Sequence, residues 1–185
     1  MFGWWKVKKV QREDAFSLYL DCVKKARQPV FYNDLQVPDT LESRFEMLCL
    51  HAVFLMEWLY KNNQNDLAQK LFDVMFLDID HNLREAGVGD LAVPKRIKKM
   101  MEMFKGRAFA YRDGFKNGVL EDVIERNVGV TDRSCVKALA EYVSHSFEHI
   151  ETISFEDGME TPSRLFTEVE IGINNGKKIK KSSGA

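Results

Sequence analysis

The 185-residue sequence is poor in cysteine and has no paired cysteines. Cys22, Cys49 and Cys135 stand far apart, with no CxxC among them. That argues against a disulfide framework or a zinc knuckle, and points to a reducing compartment. Each is read as a small apolar residue on a helix rather than as a nucleophile. Long hydrophobic runs are also missing. The longest apolar block is MLCLHAVFLM at 47–56. A bilayer-spanning helix needs about 20 apolar residues, so this block is expected to be buried in protein or covered by a partner. A net charge of −1 supplies no global attraction to nucleic acid. Alternating strand patterns are scarce, and no internal repeat is present. The opening MFGWWKVKKVQRED has neither the order of a signal peptide nor the Arg/Ser-rich character of a transit peptide. A cytoplasmic protein, peripheral at most to the inner membrane, is expected.

What the sequence does have is apolar spacing near 3.6, almost everywhere. With 45% hydrophobic and 30% charged residues, the chain has the composition of a globular domain. The reading is all-α, a single domain of about six to seven helices over 13–171. An aromatic and basic arm at 1–12 precedes it, and a disordered basic tail at 172–185 follows. The first helix is expected from Glu13 to Arg27. An extended connector, ARQPVFYNDLQVPDT, leads to an N-cap at Asp39 or Thr40. A helix over 41–60 carries two apolar stripes, so it is either central to the fold or half-covered by a partner. The next runs to about Ala86 and stops at Gly87. A basic helix from Lys95 is expected to bend near Gly106 and end near Gly114. Helices at 118–127 and 132–152 follow, and a weak element at 162–170.

The stretch FDVMFLDIDHNLREAGVGDL at 72–91 crowds acids and a histidine together. Asp78 and His81 are spaced i, i+3, as in dimetal bundles. His145 and His149 in HSFEH share a helix face, with Glu141 a turn earlier. A helical metalloenzyme built on Asp78, His81, His145 and His149 is therefore an alternative. Against it, Asp78 and His81 point away from the apolar face of Phe72, Phe76, Ile79 and Leu83, and a second i, i+3 pair is lacking. No metal or other cofactor is expected. GVGDL follows a helix, not a strand, so it reads as a turn rather than a phosphate loop. No nucleophile elbow or paired base is present, and the chain is not read as an enzyme.

The basic stretch is more informative. Residues 95–116 hold eight Lys or Arg against Glu102 and Asp113, whereas 117–170 hold four basic and twelve acidic residues. Ile97, Met100, Met101 and Phe104 share a face, either a core stripe or an adaptable surface for apolar clients. RNA binding through 95–116 is a second alternative, without a recognition-module motif to support it. Phe2, Trp4, Trp5 and Lys6 have the composition of a lipid-interface contact, or of a hydrophobic arm docked on the domain.

The segments PVFYNDLQVPDTLESRFEMLCLH, LFDVMFLDIDHNLREAGVGDLAVPKRIKKM and FKGRAFAY, spanning about 28–115, resemble the ubiquinol–cytochrome c chaperone family. LREAGVGDL is the most distinctive phrase. The resemblance implies a non-enzymatic helical assembly factor, here a bacterial member, that binds newly made cytochrome b or another unassembled membrane protein. It also implies a small partner protein and a place near the ribosome exit. Carried over by residue, the implied surface holds Phe31, Tyr32, Arg44, Glu46, Asp73, Asp78, Asp80, Arg84, Glu85, Gly87, Gly89, Asp90, Lys95, Gly106 and Arg107. Gln36 stands where the family pattern has a glycine. From the residues themselves, a client groove is expected near Met47, Leu50, Phe54, Trp58 and Met100. Lys95, Lys98 and Lys99 would form a basic rim that favours anionic lipid.

Overall fold

The structure, a computed structural model, describes residues 3–169, and the side chains of 13–169. It is all-α, with no strand among the described residues. Six helices of nine residues or more build it: α1 (Gly3–Ala26), α3 (Leu41–Lys61), α4 (Asn65–Glu85), α5 (Val93–Asn117), α6 (Leu120–Val128) and α7 (Arg133–Ile150). Two short ones, α2 (Pro29–Asn33) and α8 (Phe155–Glu160), and a 3₁₀ turn at Pro162–Leu165 complete it.

Side-chain caps set several helix starts. Thr40 accepts the Ser43 N–H at 3.1 Å, and Asp132 accepts those of Ser134 and Cys135 at 2.9 and 3.1 Å. Each satisfies donors that a helix start leaves orphaned. The Ser43 hydroxyl in turn donates to Val128 O, tying the start of α3 to the end of α6.

The helix with two apolar stripes is the centre of the molecule. α1, α4, α5, α6 and α7 all pack on α3, which is why most of its circumference is apolar and buried. α1 lies along both α3 and α4.

Four expectations need correction. The first helix begins at Gly3, not Glu13. The connector contains α2, whose Phe31 plugs into the core; Pro29 suits a helix's first turn, and Gln36 takes up the reversal at φ 54°. That left-handed conformation is what a glycine would supply freely, and it brings the Val37 N–H back onto Phe31 O at 3.0 Å. α5 runs unbroken through Gly106 and past Gly114 to Asn117. Gly114 is a packing contact rather than a stop: a Cβ there would lie 2.9 Å from Val123 of α6. The fourth is α8, too short to show a helical period. The tail at 172–185 and Phe2 lie outside the described residues, as do the side chains of Trp4, Trp5 and Lys6.

Candidate partner-binding surface

The apolar part of the expected client groove is not a surface. Phe31, Met47, Leu50, Phe54 and Trp58 are fully buried. Their partners are the reason. Phe31 meets His51 and Tyr142 edge-on, at 5.2 and 5.3 Å between ring centroids. Phe54 packs on Phe147 at 5.1 Å. The Trp58 indole stacks on Phe155 and donates its N–H to Ile153 O at 3.1 Å. These five residues hold the core together, and none can touch a client in this conformation.

Several charged residues of the expected surface bind one another or the scaffold. The Arg107 Nε donates to both carboxylate oxygens of buried Glu46, at 2.7 and 2.9 Å, locking α5 onto α3. Burial pushes the Glu46 carboxyl up, and Arg107 opposes the shift. Asp78 accepts from the Tyr19 hydroxyl at 2.6 Å and from Asn82 at 2.9 Å, joining α4 to α1. Arg44 forks onto Asp39 at 2.5 and 3.0 Å on the exposed side of α3. The Tyr32 hydroxyl donates to Ala26 O, and Gln69 donates to Asp73. Glu85 is exposed.

At the α4–α5 turn, Arg84 donates to Asp80 and to Asp90, each at 2.6 Å. Gly87 lies at φ 80°, the left-handed position after a helix. LREAGVGDL is thus a braced turn. Beyond it Lys95, Lys98 and Lys99 are exposed, whereas Met100, Met101 and Met103 are half-buried against the core. The ion pairs that Arg107 and Arg112 of α5 make, with Glu46 and Glu57, run to α3 rather than to the acidic C-terminal half.

The residues of the metal alternative are not brought together: among the described residues no group of three or more His, Cys, Asp or Glu could hold an ion. Asp78 is engaged with Tyr19, and the His149 Nε2–H donates to Arg164 O at 2.7 Å. His81 and His145 are exposed.

A cleft does open beside the expected groove, its surface divided about evenly between polar and apolar atoms. Between α3, α4 and α5 lies a recess of about 370 Å³, small for a ligand pocket. Its floor is Val53, Met56, Phe72 and Phe104, and Ala68 and Ala108 on α4 and α5 leave the space. Tyr60, Gln69, Lys105 and the Glu57–Arg112 ion pair at 3.3 Å rim it. Burial raises the Glu57 carboxyl, and Arg112 opposes that. The sequence held one signal for this cleft: small Ala68 and Ala108 on helix faces that are otherwise bulky. Which faces oppose one another is a tertiary fact.

A family model described as ubiquinol-cytochrome C chaperone matches residues 33–165, from α2 to the 3₁₀ turn and well beyond the 28–115 segment. The chain is 22% identical over 162 residues to ubiquinol-cytochrome-c reductase complex assembly factor 1 of Xenopus laevis, covering 83% of this chain and 78% of that protein. It is 24% identical to the Mus musculus and Homo sapiens proteins of that name, again over 83% of its length. It spans 53% and 52% of those two, about half of each. Among solved structures, the crystal structure of the Cbp3 homolog from Brucella abortus matches with a TM-score of 0.74 at 33% identity, covering 89% of this chain and 95% of that one.

Proposed function

The chain belongs to the ubiquinol–cytochrome c chaperone family, a family of assembly chaperones and not of enzymes, and from that premise we propose that it holds a newly made subunit of the ubiquinol–cytochrome c reductase complex for assembly. The client of this reading is cytochrome b, met at the membrane where the complex is built. No helix among the described residues is long and apolar enough to cross a membrane; in this reading the chain meets its client at the membrane surface.

The observation that carries the reading is the α3–α4–α5 cleft. Its floor is apolar, its rim carries both signs of charge, and Tyr60 stands 47% exposed at its mouth. A recess of that size grips one anchor of an apolar segment rather than a whole membrane helix, the manner in which helix-binding grooves take single side chains. A chaperone needs such a grip: enough to shield the segment, weak enough to release it.

The test is a tagged pull-down from solubilised membranes of the source cell, quantified by mass spectrometry, with wild type and Ala108→Trp side by side. Ala108 lines the cleft and is partly buried at the edge of the core, so an indole there fills the recess. Cytochrome b should be enriched over equally abundant membrane proteins, and Ala108→Trp should cut that enrichment severalfold at an unchanged melting temperature. No enrichment of cytochrome b sinks the client assignment. Enrichment that Ala108→Trp leaves intact removes the cleft from the mechanism.

A further inference from the structure

The exposed face of α5 carries a pattern that meets the cleft only at Lys105, on its rim. Lys95, Lys98, Glu102, Lys105 and Phe109 follow one another at spacings of four and three, which sets them on one straight line along the helix. At 1.5 Å per residue the line is about 21 Å long. Leu91 continues it one turn earlier, because the backbone is already wound helically there: Ala92 has helical dihedrals, and the Val93 N–H donates to Gly89 O. Leu91 is 99% exposed and Phe109 66%. The turn that presents Leu91 is braced by Arg84 between Asp80 and Asp90. Lys95, Lys98, Lys99 and Lys105 are all exposed and form no ion pair among the described residues.

We propose that this line is a membrane-docking edge. α5 lies flat on an anionic lipid surface, Leu91 and Phe109 are seated at the acyl boundary at its two ends, and the lysines between them meet the headgroups. Three features select a lipid surface over other acidic partners. The exposed residues fall on a line, which a plane can touch along its whole length. The apolar anchors sit at the ends and the charges in the middle, the reverse of a protein interface, where aromatic and aliphatic anchors cluster at the centre. For nucleic acid the line offers one aromatic, at its end, with none interleaved among the lysines for stacking. Long lysine stems suit the interface, keeping the ammonium at the headgroups while the methylenes lie on apolar surface. Each lysine close to an anionic leaflet is worth about a fivefold gain in partition. The contact deepens the assembly reading by bringing the chaperone to its client's membrane, yet its evidence and its test involve no client.

The experiment is co-sedimentation of the full chain with vesicles of phosphatidylglycerol and phosphatidylcholine, against phosphatidylcholine alone. Wild type should bind the mixed vesicles, more tightly as salt is lowered, and leave the neutral ones. Lys95→Glu/Lys98→Glu/Lys99→Glu should cut partition by more than tenfold, with an unchanged far-ultraviolet spectrum. Leu91→Ser/Phe109→Ser should cut it severalfold without changing the salt dependence. Equal binding to both vesicle types, or full binding by the lysine variant, overturns the proposal; so does an apolar variant that binds as wild type, since docking without Leu91 and Phe109 is not the contact described. Absence of vesicle binding alongside binding to an acidic peptide would assign the line to a protein instead.

Discussion

His51 is fully buried, and both of its ring nitrogens are used. The Met47 carbonyl, 2.7 Å from Nδ1, can only accept, so Nδ1 carries the proton. Nε2 then accepts from the Tyr142 hydroxyl at 2.9 Å. Phe31, Phe54 and Phe166 stand edge-on around the ring, and the charge of buried Lys25 opposes a second proton. Burial, chiefly, pulls the imidazole down to a pKa of about 3. The unfolded chain takes up a proton near pH 6.5 that the folded chain refuses, so stability is full above 6.5 and falls as the pH drops towards 3. A loss of about 2 kcal/mol between pH 7 and 5 is expected from this group. Urea titrations at both pH values check it. His51→Leu should be less stable at pH 7, yet its decline to pH 5 should be shallower by that amount. None of this was legible from MLCLHAVFLM, because Tyr142 is 91 positions away. Gln36 is a partial case: standing where the resemblance implies a glycine, it left the connector's geometry open, and the structure places it at φ 54°.

At the scale of elements, two glycines separate packing from propensity. Gly158 of α8 faces the Trp58 indole so closely that a Cβ would lie 2.2 Å from Cζ2. Gly106, in the middle of α5, has nothing within 4 Å of where its Cβ would be. Alanine at the two sites should therefore act with opposite signs. Gly158→Ala must push α8 off the indole, at a cost of about 1–3 kcal/mol, and should shift tryptophan emission. Gly106→Ala restores helix propensity and should stabilise by up to about 1 kcal/mol. Chemical denaturation of both variants in one buffer decides; a destabilised Gly106→Ala would mean that α5 needs the flexibility. Periodicity located the long helices because their apolar faces repeat over several turns. It missed α8, whose six residues hold less than two turns, and it read Gly106 and Gly114 as breaks because glycine alone does not reveal whether a neighbour approaches. It also left open whether α3 is buried all round or half-open to a partner, since the same two stripes serve both. Five neighbouring helices closed that choice: Met47, Leu50, Phe54 and Trp58 are buried, and the grip proposed above lies in the cleft beside them.

In the whole molecule, α5 has three faces with separate work. Arg107 fastens it to Glu46 of α3, and Ala108 and Arg112 line the cleft. Lys95, Lys98 and Lys99 stand clear of both, near the braced turn. A net charge of −1 conceals this division. Arg107 and Arg112 of the basic segment bind α3, whereas Arg96 and the N-terminal lysines are left facing outward. If grip and docking are distinct, one chain should lose either without the other. Ala108→Trp should bind anionic vesicles as wild type does, while failing to retain client in detergent. Lys95→Glu/Lys98→Glu/Lys99→Glu should retain client in detergent, where no bilayer has to be approached, and should fail on vesicles. Both assays run on the same preparations, with melting temperatures as the control for folding. The lysine variant should also capture less client from intact membranes than from solubilised ones, because delivery and not grip has been removed. If one variant abolishes both activities in a folded chain, the cleft and the lysine line form a single site, and the client itself lies across α5.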